Sequence, residues 1–141
     1  MIELVQVSAA EAAAVVAFEP VAFAHAPDWP HDDTYDALRM SEGAPGTFFI
    51  ALDGVVVGDC GWFGPPDEDG EVEIGYGLAP SARGQGLGTA AVQLLLDWVA
   101  TQGARTVRAE VLPGNEPSLR LLAKLGFEDI GERAGHRILT R

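Results

Sequence analysis

Arg83, Gly84, Gly86 and Gly88 have the types and spacing to hold an anion. Glycines let successive backbone N–H groups turn toward one ligand, and a helix opening behind them adds its positive end. Arg83 brings a full positive charge to the same place. Two common phosphate loops are excluded. A mononucleotide loop closes on Gly-Lys-Ser/Thr, so that its lysine reaches the terminal phosphates, and the only lysine here is Lys124. A dinucleotide fingerprint needs Gly-x-Gly-x-x-Gly, but its sixth position here is Thr89. It also needs more strand–helix units than the roughly fifty remaining residues can form.

The pattern that is left, Arg83-x-x-Gly86-x-Gly88, resembles the pyrophosphate loop of the Gcn5-related N-acetyltransferases, the GNAT superfamily. A second segment, Asn115-Glu-Pro-Ser118 followed by Lys124-Leu-Gly126-Phe127, is similar to that family's signature after its fifth strand. The likeness spans roughly residues 46 to 132 and is nearest in style to the ribosomal-protein N-acetyltransferases. It implies an α/β (α+β) fold: a mixed, mostly antiparallel sheet of six to seven strands, about four flanking helices, and a fourth and fifth strand splayed apart. It implies an acetyl-CoA-dependent N-acetyltransferase acting by direct attack in a ternary complex. The implied coenzyme A site comprises Arg83, Gly84, Gln85, Gly86, Leu87, Gly88 and Thr89 in the loop, with Asn115, Ser118 and Lys124 from the last helix. In the family the pantetheine arm lies in the splay, which implies that the backbone of Leu78 pairs with it.

Strand alternation puts Glu71, Glu73 and Gly75 on one face of the segment 71–78, with Val72, Ile74 and Tyr76 on the other. Glycines at 75 and 77 suggest a bulge there. Through Glu73-Ile-Gly, the resemblance suggests that Glu73 removes a proton from the acceptor amine. An ammonium must lose a proton before its nitrogen attacks a thioester, and burial raises a carboxyl toward working pH. Glu71 and Glu73 read equally well as a solvated strand face. Many family members protonate the leaving thiolate with a tyrosine seven residues after the asparagine, where this chain has Leu122. Ser118 matches members that use serine near the sulfur, or else caps a helix; Tyr35 and Tyr76 are further hydroxyls. Leu122 leaves a second class open, a non-catalytic acyl-CoA-binding or regulatory module.

For the acceptor, His31, Tyr35 and Glu71 are the candidates. His25, His31, Trp29 and Tyr35 lie where the family builds its acceptor wall, and aromatic faces with carboxylates hold cations. A loop packed by its own aromatics is the alternative. Residues 1–82 carry fifteen acids against one base, Arg39, for a charge of −14. Residues 83–141 carry eight bases against six acids, for +2. That asymmetry favours a cationic acceptor, a small amine or a protein N-terminus, unless the acids serve only solubility. No nucleic-acid partner is expected from it. Three scattered histidines and the single Cys60 make no metal site.

The elements that position these groups follow from periodicity and punctuation. A strand at 2–7 leads to Ser8, which caps a helix to about Phe18, and 32–40 has weak helical character. Asp53-Gly54 joins strands 48–52 and 55–63 as a hairpin. Behind the glycine loop, Leu87, Ala91, Leu94, Leu95 and Trp98 predict the core face of a helix ending at Gly103. A strand follows at 106–112, then a helix opened by Asn115 or Pro117 and closed by Gly126, then strands at 127–132 and 136–140. Trp62 and Trp98 are expected in the core. At 141 residues and 48% hydrophobic, one domain over 1–141 is predicted. A lone cysteine excludes disulfides, and no membrane or signal segment is readable, so a cytoplasmic protein is expected. A homodimer is left open.

Overall fold

The computed structural model describes residues 1–141 and contains β1 (Ile2–Gln6), α1 (Ala9–Val16), α2 (Asp32–Ser41), β2 (Thr47–Leu52), β3 (Val55–Trp62), β4 (Glu71–Leu78), α3 (Leu87–Thr101), β5 (Thr106–Val111), α4 (Glu116–Lys124), β6 (Glu128–Arg133) and β7 (His136–Thr140). The strands form one sheet in the order β1-β2-β3-β4-β5-β7-β6. Local chemistry explains the joints. Ser8 and Glu11 exchange the two bonds of a capping box at the start of α1. Asp53 and Gly54 both have positive φ, 50° and 83°, as a type I′ hairpin turn requires. Only β4 and β5 run parallel, so a crossover must join them, and α3 is that crossover.

The sheet has two differently used faces. Val72, Ile74 and Tyr76 of β4 share a face with Val107 and Ala109 of β5, and with Cys60 and Phe48, against which Trp98 of α3 packs edge-on at 5.1 Å. The other face carries Asp59, Gly75, Gly77, Glu73, Arg108 and Glu110, and is covered at one end by Trp29 and α2. Between these faces the sheet opens. β4 pairs with β5 only from Glu71–Thr106 to Ile74–Ala109, although β4 runs on to Leu78 and β5 to Val111.

Three local expectations are corrected. The core face of α3 consists of Gly88, Ala91, Val92, Leu95, Leu96 and Val99, whereas Leu94 is 37% exposed and Leu87 and Trp98 are half-buried. The 87-94-98 positions formed a plausible stripe, but it lies to one side of the face that meets the sheet. Glycines 75 and 77 form no bulge against β3, since the register is unbroken from Ile74 to Leu78. Trp62, like Trp98, is only half-buried, and the two rings pack edge-on at 4.6 Å. No helix is long and apolar enough to cross a membrane.

Candidate active site

After β4, a 3-10 turn over Pro80–Ala82 turns the chain into the glycine loop. Gly84 and Gly86 adopt φ of 75° and 78°, which glycine reaches without strain. Gly86 is the N-cap of α3 and has no side chain to offer, so the N–H groups of Leu87, Gly88 and Thr89 have no intrahelical acceptor. A Cβ built on Gly84 or Gly86 would meet nothing within 4 Å, so the loop's outer side is open to a ligand. Gly88 does something else. It is buried, and a Cβ there would lie 2.9 Å from Leu121 Cδ1, so its bareness serves the packing of α3 on α4. Gln85 Nε2 donates to the Ser81 carbonyl at 3.0 Å, holding the turn.

Arg83 Nε donates to the Leu78 carbonyl at 3.1 Å, so that carbonyl is already engaged. Hydrogen bonds from Phe63 N to Glu73 O and from Ala79 N to Val57 O fix which positions of β4 bond β3. By antiparallel alternation, the backbone groups of Tyr76 and Leu78 point the other way, into the gap beside β5. An extended ligand arm laid in the gap would meet them.

At the far wall of the gap, Asn115 caps α4, its Oδ1 accepting the Ser118 N–H at 3.4 Å. Ser118 Oγ lies 2.5 Å from the Tyr76 hydroxyl. Burial pushes the Tyr76 phenol above its ordinary pKa, with the Ser118 bond opposing, so the proton is retained at neutral pH. Leu122 is fully buried and offers no chemistry. Lys124 is exposed at the other end of α4 from Ser118; a nine-residue helix is about 13 Å long.

The opposite sheet face opens into a cleft of about 750 Å³. Its walls include Asp33 and Asp36 from α2, Asp59 and Trp62 from β3, Gly75, Tyr76 and Gly77 from β4, and Glu110 from β5, and no lysine, arginine or histidine lines it. Glu73 and Glu110 lie side by side where the strands part. Burial raises the Glu73 carboxyl above its ordinary pKa, the neighbouring Glu110 carboxyl raises it further, and Arg108 opposes. Arg108 Nη2 pairs with Glu110 Oε2 at 3.4 Å.

Asp59 is only 5% exposed. Its Oδ2 accepts from Thr34 Oγ1 at 2.6 Å and Trp29 Nε1 at 3.3 Å, while its Oδ1 accepts from no protein donor. Burial raises its carboxyl pKa against the lowering effect of those bonds and of His31. The Thr34 hydroxyl donates its one proton to Asp59, so the His31 Nδ1 at 3.1 Å from it must be the protonated nitrogen. His31 Nε2 is buried without a partner and sits over Gly77, where a Cβ would come within 2.7 Å of it.

Other candidates lie apart. Tyr35 and His25 line a separate hollow of about 240 Å³ with Phe18 and Trp29, and Tyr35 packs on Phe18 at 5.0 Å. Trp29 is core, at 2% exposure. Glu71 shares the Glu73 face but sits opposite Thr106, away from the cleft walls. Asp28 binds the N–H and hydroxyl of Ser81, which holds its carboxyl below the ordinary range. Sequence reasoning missed Glu110 and Asp59. Asp59 did carry a signal, as the one charge in the run Val55–Trp62.

A sequence model of the family described as Acetyltransferase (GNAT) domain matches residues 2–128. The chain belongs to this family. An uncharacterized N-acetyltransferase p20 of Bacillus licheniformis is 39% identical over 77 residues, covering 54% of this chain and 43% of that protein. An L-2,4-diaminobutyric acid acetyltransferase of Nocardia farcinica is 33% identical over 94 residues, covering 65% and 49% respectively. The chain thus spans less than half the length of these two relatives. RimJ of Mycobacterium smegmatis, solved in complex with CoA-disulfide, superposes with a TM-score of 0.70 at 25% identity, over 99% of this chain and 81% of that one. The parted β4 and β5 are what the family resemblance implied.

Proposed function

We propose that this chain is an acetyl-CoA-dependent N-acetyltransferase that acylates the primary amine of a cationic acceptor within a ternary complex. The observation that carries this reading is the gap between β4 and β5, which has phosphate-type donors on one side and an acidic cleft on the other. The free N–H groups of residues 87–89 and Arg83 would hold the pyrophosphate, and the inward backbone of Tyr76 with the Leu78 N–H would hold the pantetheine arm, since the Leu78 carbonyl is taken by Arg83. The thioester supplies the acetyl group. A C–N bond forms as the C–S bond breaks, the amine's proton passes to Glu73 or its neighbour Glu110, and the thiolate takes a proton from the Tyr76–Ser118 pair. Gly88 enters this set through its N–H alone, and the distant Lys124 is left out.

Buried Leu122 favours the other reading, a non-catalytic acyl-CoA-binding module. Tyr76 brings a hydroxyl to the same gap from β4, which removes the need for one at position 122. A thiol-release assay over a panel of amines, beside a direct coenzyme A titration, separates the two. Binding with release on amine addition supports the enzyme; binding without release from any amine supports the module.

A further inference from the structure

We infer that the acceptor is a small linear di- or polyamine, held by one ammonium among Asp59, Asp33 and Asp36 while a second amine is presented beside Glu110 at the parting of β4 and β5. This rests on the acetyltransferase reading above and names its substrate class. The first argument is Asp59. Asp59 lines the cleft wall with Oδ2 accepting from Trp29 and Thr34 and Oδ1 accepting from no protein donor, so Oδ1 is the oxygen left for an ammonium in the cleft.

The second argument is spacing. Asp59 lies opposite Gly77, whereas Glu110 lies just past the Ala109–Ile74 pair. Two strand spacings and two to three residues of rise separate their α-carbons by about 12 Å. One ammonium cannot serve both ends, so the cleft has two anionic stations. Asp33 extends the first of these, with Asp36 three residues on, whose Oδ1 already accepts from Arg39 Nη1 at 3.3 Å.

The third argument is what the cleft lacks. No basic side chain lines it, so an acceptor carboxylate would face only acids, which disfavours amino acids and favours plain amines. The cleft volume of about 750 Å³ suits a small molecule.

The test uses the full chain with saturating acetyl-CoA and initial rates of thiol release. The acceptors are butylamine, 1,4-diaminobutane, spermidine, 2,4-diaminobutyrate and a short peptide with lysine as its second residue. The diamine or spermidine should exceed butylamine in kcat/KM by about tenfold or more, the worth of one charge-assisted contact. In an Asp33→Asn/Asp36→Asn variant that advantage should shrink at least severalfold. Both substitutions are at exposed helix positions, so a melting curve like the parent's is expected to accompany the loss. Equal kcat/KM for butylamine and the diamine, an undiminished advantage in the variant, or preference for the diaminobutyrate or the peptide would overturn the inference while leaving the acetyltransferase reading intact. Coenzyme A binding with no release from any amine would overturn both.

Discussion

Replacing Asp59 by asparagine should stabilise the protein while weakening acceptor capture, and the stabilisation should depend on pH with a definite sign. The amide oxygen can still accept from Thr34 and Trp29, so those two bonds survive. What disappears is a buried carboxylate whose folded-state pKa is raised, chiefly by desolvation. With a raised folded pKa, the native state holds the proton more tightly than the unfolded chain. Stability is therefore fully present below the unfolded value and falls as pH rises from there to the folded value. The asparagine variant has no such loss. The two proteins should melt together near pH 4, and the variant should be the more stable near pH 7. An under-partnered buried polar group costs about 1–3 kcal/mol. For a domain of this size, that corresponds to a rise of about 3–10 °C in Tm. Calorimetric melts at several pH values, with acceptor KM measured in parallel, would check it. A variant that melts lower than the parent at pH 7, or a difference that does not grow with pH, would show that Asp59 is a satisfied structural carboxylate and not a waiting cation site.

Five further variants have expected outcomes. Glu73→Gln should lower turnover by about 10²–10⁴-fold without changing coenzyme A affinity, and should regain activity in alkaline solution, where the amine arrives deprotonated. Because Glu110 helps raise the Glu73 pKa, Glu110→Gln should move the acidic limb of the kcat/KM profile to lower pH; an upward move would contradict the pairing. Gly86→Val should abolish coenzyme A binding with a strain cost of only about 1–2 kcal/mol, since φ is 78° and the space beyond is open. Gly88→Val should instead press on Leu121 and cost about 1–3 kcal/mol of stability, so titration and melting of the two variants separate loop from packing. Tyr76→Phe should cut turnover by about 10²-fold with coenzyme A affinity nearly unchanged, and an unaffected rate would remove Tyr76 from proton delivery.

The features legible in the sequence were those written in a local code. The glycine loop, the opening of α4 at Asn115 or Pro117, the Asp53-Gly54 hairpin and the Ser8 cap each depend on neighbours a few residues apart, and the structure places each there, with Asn115 as the cap of α4. The parted β4 and β5 followed from the family resemblance rather than from periodicity, and the strand order was not legible at all, since it is set by pairings distant in sequence. Glu110 was not legible, because only the parallel register of β4 against β5 places it beside Glu73. Asp59 needed the fold to bring Thr34 and Trp29 to it from 25 and 30 residues away. The α3 stripe was misjudged because two overlapping apolar stripes wind around that helix, and which one faces the sheet is settled by packing. Gly88 looked like its loop neighbours, but its φ and its surroundings differ from theirs.

The most direct test of amine acetylation by this chain is an initial-velocity matrix, with acetyl-CoA and the best amine of the panel varied together and thiol release and acetylated product both counted. The only cysteine, Cys60, is buried, and burial pushes its thiol far up, so no side-chain thiolate is available to carry the acetyl group. Direct transfer therefore predicts reciprocal plots that intersect, with one thiol released per acetyl group delivered. Parallel plots, or thiol released without acetylated amine, would contradict it.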